Sequence, residues 1–187
     1  DEDLTAIISF LRSQPPVRNE VPRSEYSFLG KALFTLMDVQ PTGPTGTPPK
    51  TVTREVSADY GKYIAYSVAN CYGCHTERDL QTGAFIGTPL AGGMLFTPDA
   101  WTEGYAYVSP NLTPARNTGI MFSWSEDAFV SRFRAGRVHK GSPMPWGAFS
   151  RMEENEIRAV YRYLQSIEPA ENAVPKIVFA PGEKLPK

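Results

Sequence analysis

The pentapeptide Cys71-Tyr72-Gly73-Cys74-His75 constrains this chain more than any other stretch. Two thiols three positions apart, followed directly by an imidazole, form the attachment pattern of a c-type haem, in which both cysteines become thioethers and the histidine ligates iron. The spacing has a physical reason. Residues i and i+3 lie about one helical turn apart, so both sulfurs reach one edge of a porphyrin while the next residue swings its ring beneath the metal. The sequence holds no other cysteine. A short-loop disulfide and a thioredoxin-like redox pair are the other readings of two such thiols, and the second needs a strand-helix-strand context that is absent. A zinc site lacks ligands, because the one other histidine is His139.

At 187 residues the chain exceeds the needs of one small haem domain and suits a domain plus an extension. With 41% hydrophobic and 12% aromatic residues it can bury a core. A formal charge of -1 argues against nucleic acid as a partner. No apolar run approaches the ~20 residues that span a bilayer, so the chain is expected to be soluble and to carry no transmembrane segment. It starts without a signal peptide and reads as a mature form or a piece of something longer.

Hydrophobic periodicity predicts mostly helices. Leu4, Ile7, Ile8 and Leu11 repeat at helical spacing over residues 1–17, which Pro15-Pro16 bring to a stop. A second helix is expected over about Tyr26 to Met37, and Pro/Thr/Gly residues at 41–49 read as a linker or a surface loop. From Ser57, a plausible N-cap, a helix with Tyr60, Tyr63, Ile64 and Val68 facing inward leads into the cysteine motif. The loop-rich stretch after His75 suits wrapping a flat ligand. Further helices are expected at about Glu126 to Ala135, capped by Ser123 or Ser125, and at about Glu153 to Ile167.

The two ends of the chain also resemble each other. Asp3 to Ile7, Leu11 to Ser13 and Pro16 align at constant offset with Glu156 to Val160, Leu164 to Ser166 and Pro169, with four identities. Two amphipathic helices can look alike by pattern alone; the sharper reading makes residues 1–17 the closing helix of a preceding haem domain. The expected organisation is an extension over 1–56 and a monohaem domain over 57–187.

A second axial ligand is expected from His139 or from one of five methionines, Met37, Met94, Met121, Met144 and Met152. Met144, in Ser142-Pro143-Met144-Pro145-Trp146, is favoured because two prolines stiffen the loop that presents its sulfur. Met37 and Met121 read as core filling. His139 lies in the basic run Arg132 to Lys140 and reads as a solvated helix cap, while the arginines are candidates for haem propionates or an acidic partner. The ring N–H of His75 needs an acceptor, and a carbonyl at Pro89 in Gly87-Thr88-Pro89-Leu90 is the expected one.

With these residues in view, the chain resembles class I c-type cytochromes through the haem motif, Met144-Pro145-Trp146 and the closing helix. More narrowly, Leu90 to Gly93, Ser109 to Pro114, Gly119-Ile120 with Trp124 to Phe129, and Met144 to Trp146 resemble the cytochrome c subunits of bacterial membrane-bound dehydrogenases, such as alcohol and gluconate dehydrogenases. The resemblance spans about Tyr60 to Pro169. It implies an all-α, haem-wrapping fold, with Cys71, Cys74 and His75 on the haem, Met144 opposite, and Asn111, Thr113 and Trp146 lining its environment. Those subunits commonly string several haem domains together, whereas one motif is present here.

The function these residues imply is electron transfer rather than catalysis. Iron held by nitrogen and thioether sulfur keeps both axial positions filled, so an electron arrives with little rearrangement. One covalent haem c would pass electrons from a dehydrogenase or quinol donor to a respiratory acceptor through weak, transient contacts with redox proteins, in the complex of a membrane-bound dehydrogenase or oxidase. The alternative is a haem enzyme or ligand sensor with an open or displaceable sixth site. Covalent haem attachment implies the bacterial periplasm.

Overall fold

The computed structural model describes residues 1–36, 46, 47, 49–79 and 81–186. Met37, Pro41 to Thr45 and Pro48 therefore lie outside the described residues, along with Leu80 and Lys187. The chain divides into two compact units, Asp1–Val52 and Thr53–Lys187.

The first unit carries α1 (Glu2–Ser13) and α2 (Phe28–Leu36). Helix α1 has Glu2 and Asp3 in its first turn and Arg12 in its last, each sign suited to the helix dipole. It stops at Ser13, ahead of the two prolines. Neither helix buries a residue; Leu4, Ile7, Phe10 and Leu11 on α1 and Phe28, Leu29 and Leu36 on α2 are all exposed.

The second unit begins with α3 (Ala58–Tyr63), where Ser57 accepts from the amide of Tyr60 as its cap. Helix α3 widens into a π-helical turn, Ile64–Val68, before α4 (Cys71–Cys74). Then come β1 (Leu95–Phe96), β2 (Ala106–Val108), α5 (Glu126–Arg134), α6 (Trp146–Phe149), α7 (Glu154–Ser166) and β3 (Val178–Phe179). Ser125 caps α5, and Glu153 with Glu156 forms a capping box at the start of α7.

Helix α7 is the element the unit packs around. Ile157, Ala159, Val160, Tyr163 and Leu164 form its buried stripe, and α3 and α5 lie against it. Gly61 permits the close approach of α3: a methyl there would overlap the carbonyl of Ala159. Phe129, Val130 and Phe133 close the core from α5, with Met121 fully buried and its carbonyl bonded by the Gln165 side chain.

A small antiparallel sheet, order β1-β2-β3, joins the loop after the cysteine motif to the chain beyond α7. Leu95 pairs with Val108, and Ala106 with Phe179. The all-helical expectation contained no such sheet. Strands of two or three residues are too short to show alternation in sequence.

Candidate haem centre

The motif is built by a change of helical pitch. In the π-helical turn the amide of Ala69 bonds the carbonyl of Ile64 at 2.8 Å, and Asn70 then takes a left-handed conformation (φ 51°) that Asn tolerates better than most residues. The chain is thereby turned into α4, one helical turn holding Cys71 and Cys74. Tyr72 stacks on Tyr66 at 4.8 Å and meets Phe85 at 4.4 Å, so the turn is anchored on both sides. Both cysteines are free thiols, Cys71 half-buried and Cys74 exposed. Burial pushes the Cys71 thiol up to about 11; it also raises that of Cys74, opposed by the nearby Arg78 charge. Both sulfurs are thus protonated at neutral pH.

His75 is gripped at three points. Its amide bonds the Cys71 carbonyl at 2.8 Å, its carbonyl accepts from Gly92 at 2.7 Å, and its ring Nδ1 lies 3.0 Å from the Pro110 carbonyl. A carbonyl only accepts, so Nδ1 carries the proton and Nε2 keeps its lone pair. Burial lowers the imidazole's proton affinity, and the Pro110 carbonyl opposes this in part. A neutral ring with a free Nε2 next to two unpaired thiols on one turn is the donor set that a covalent haem requires.

The acceptor is therefore Pro110 and not Pro89. Pro89 sits in a turn closed by the Ala91 amide on the Thr88 carbonyl, with Leu90 following at positive φ (62°) and its amide bonded to Thr76 Oγ1. That turn is a local structure of its own. Gly93, bonded to the Ser109 carbonyl, brings residues 109–110 alongside His75 instead.

Asn111 and Thr113 are buried beside this contact, in a latch with the segment after α7. Asn111 Nδ2 donates to Thr118 Oγ1 at 3.0 Å and to the Ala170 carbonyl at 2.7 Å, while its Oδ1 accepts from the Thr113 amide (2.9 Å) and hydroxyl (2.8 Å). Thr113 Oγ1 accepts in turn from the Ala170 amide at 3.1 Å. Asn172 donates to the Ala91 carbonyl at 3.0 Å, so the segment braces both loops behind His75. Pro110, Ala170 and Asn172 are positions that sequence reasoning missed; the signal was Pro110 itself, within Ser109-Pro110-Asn111.

Met144 is half-buried on a loop pinned at several points. Its carbonyl accepts from the Trp146 amide at 2.8 Å, and buried Trp146 donates through Nε1 to Ser142 Oγ at 3.1 Å. Tyr107 of β2 donates to the Lys140 carbonyl. Strand β2 thus braces the Met144 loop, while the chain just beyond it supplies the acceptor for His75. Within the basic run, Arg132 stacks on the Trp146 ring at 3.7 Å and bonds the Gly136 carbonyl, and Arg134 bonds the carbonyls of Ser150 and Met152. Both guanidinium groups are engaged within the fold; His139 is exposed. Among the described residues no group of three or more His, Cys, Asp or Glu gathers as a metal cluster, and no helix is long and apolar enough to cross a membrane.

No protein-family model matches the chain. It is 26% identical over 193 residues to a nicotinate dehydrogenase subunit of Pseudomonas putida, a match covering 95% of this chain and 15% of that protein. It is 30% identical over 147 residues to the fructose dehydrogenase cytochrome subunit of Gluconobacter japonicus, covering 76% and 27%. The cytochrome c subunit of the quinone alcohol dehydrogenase of Gluconobacter oxydans is 31% identical over 133 residues, covering 67% and 25%. The chain spans less than a third of the length of these relatives. Relatives that are cytochrome subunits of dehydrogenases support an electron-transfer cytochrome role at family level, and with it haem c.

Proposed function

We propose that this chain is an electron-transfer domain of the class I c-type cytochromes, with one covalent haem held by Cys71, Cys74 and His75 and with Met144 as the sixth ligand. The single observation that carries the reading is His75: its Nδ1 is occupied by the Pro110 carbonyl, directly after a turn that holds two free thiols. Haem supplies an iron that exchanges one electron between its ferric and ferrous states. Cys71 and Cys74 would hold the haem as thioethers, each thiol supplying both the sulfur and the hydrogen that a vinyl group takes up. His75 offers Nε2 to the metal, and the Pro110 carbonyl holds its ring in one tautomer and orientation. Met144 offers a thioether from a braced loop, a ligand that raises the reduction potential.

Relatives that are subunits of dehydrogenases support a partner of that kind. To this we add, as part of the proposal, a dehydrogenase or a quinol as electron donor and a respiratory acceptor, met in the periplasm within a parent complex. Residues 1–17 belong to this reading as the closing helix of a preceding haem domain, since every position buried in α7 has an exposed counterpart in α1.

Spectra of the oxidised and reduced holoprotein, wild type beside Met144→Ala and with carbon monoxide added, test the proposal. The expected wild type is low-spin and indifferent to carbon monoxide, and Met144→Ala loses both traits. A wild type that binds carbon monoxide readily would transfer the assignment to a haem enzyme or ligand sensor.

A further inference from the structure

We infer that Asn111 is a positioning residue for the iron ligand His75, acting through the Pro110 carbonyl; the inference rests on the reading of His75 as that ligand. Proline has no N–H, so Pro110 cannot be tethered through its own amide. The direction of its carbonyl is set by the peptide unit it shares with Asn111. That unit, together with the Asn111 residue that closes it, is held on three sides.

On the first side lies Gly92 at φ 76°, where a methyl would stand 2.5 Å from the Pro110 carbonyl carbon and 2.7 Å from the Asn111 nitrogen. The same Gly92 donates its amide to the His75 carbonyl. On the second side the Asn111 carbonyl, which belongs to the following peptide unit, accepts from the Ile120 amide at 3.0 Å. The third is the Asn111 side chain, fully buried and with its hydrogen-bonding capacity filled: two donors to Thr118 and Ala170, two acceptances from Thr113. One of these bonds crosses to a carbonyl beyond α7. The asparagine therefore ties the acceptor of the His75 ring to the segment that follows α7.

Releasing the latch frees the Pro110 carbonyl to turn away from Nδ1. The ring N–H then exchanges with water more readily. A ring that donates less is a poorer electron donor to ferric iron, so the reduction potential rises.

The test uses the full holoprotein as Asn111→Ala and as Thr118→Val, with Gln165→Ala as a control that removes a bond to Met121 elsewhere on α7. Ring N–H exchange of His75 in the ferrous protein and the midpoint potential are read together with global stability. In Asn111→Ala and Thr118→Val the exchange is expected to quicken by about tenfold, the effect of losing roughly one hydrogen bond, and the potential to rise. Gln165→Ala leaves both at wild-type values. The inference is overturned if Asn111→Ala loses stability but keeps the exchange and potential of the control. Should Asn111→Ala fail to fold, unchanged exchange in Thr118→Val overturns it alone. A low-spin spectrum that survives His75→Ala would instead sink the assignment of the iron ligand, and the inference with it.

Discussion

A methyl group at position 92 has nowhere to go, because Gly92 combines positive φ with close approach to the Pro110–Asn111 peptide. Gly92→Ala is therefore expected to cost at least about 1–3 kcal/mol, the range for a side chain forced into this conformation, and to lower the yield of haem-loaded protein. Denaturant unfolding and visible absorbance measure the two effects. Asp79 supplies a pH-dependent counterpart. Its carboxylate accepts from the amides of Gln81 and Thr82 and from the Thr82 hydroxyl, and these bonds hold it below the usual range. A depressed carboxylate stabilises the turn above its unfolded pKa of ~3.9, and that stability is lost as pH falls through the lower folded value. The protection of the Thr82 amide, its exchange relative to the intrinsic rate at the same pH, is expected to fall at those acid pH values, and to be low already at neutral pH in Asp79→Ala. At this scale the Cys71–Cys74–His75 motif is legible in sequence because its residues are adjacent. The His75 acceptor was not legible in the same way: any carbonyl can serve, and the one that does lies 35 positions away in sequence.

Helices were readable where side chains carry the information. Ser57 and Ser125 stand where caps were expected, and Ile157, Val160 and Leu164 of the expected α7 stripe are buried. Tyr161 and Ile167 are half-buried, whereas Val68, expected to face inward, is exposed. What escaped was made by backbone geometry: the π-helical turn before α4, the four-residue α6 and the sheet. Gly61 belongs with these, since a glycine in a helical pattern reads as a weak point until the partner helix is known. Its lack of a side chain sets the separation of α3 and α7. Gly61→Ala would ordinarily help a helix by reducing backbone entropy, roughly 0.5–1 kcal/mol. Here overlap with the Ala159 carbonyl and contact with Tyr163 reverse the sign, and a net loss of about 1–3 kcal/mol is expected in urea unfolding. A stabilised Gly61→Ala protein would mean that α3 can slide without loss.

For the whole molecule, the internal similarity offers a comparison in which the chemistry is identical and the surroundings differ. Leu11 and Leu164 occupy matching places in two helices of the same pattern, yet Leu11 is 63% exposed and Leu164 1%. Leu164 fills the core of the unit from Thr53 onward; Leu11 buries nothing in the unit it belongs to. Truncating a buried leucine removes its transfer free energy and leaves a cavity, so Leu164→Ala is expected to cost about 2–5 kcal/mol in denaturant unfolding followed through the haem absorbance. Leu11→Ala removes a side chain that water already surrounds, and a change within about 0.5 kcal/mol is expected. The paired result bears on the first 17 residues directly. A Leu11→Ala protein of unchanged stability would support the proposed reading of α1 as the closing helix of a preceding haem domain. If Leu11→Ala proved as costly as Leu164→Ala, α1 would be burying its stripe within this chain, and residues 1–17 would be a working part of the present fold instead.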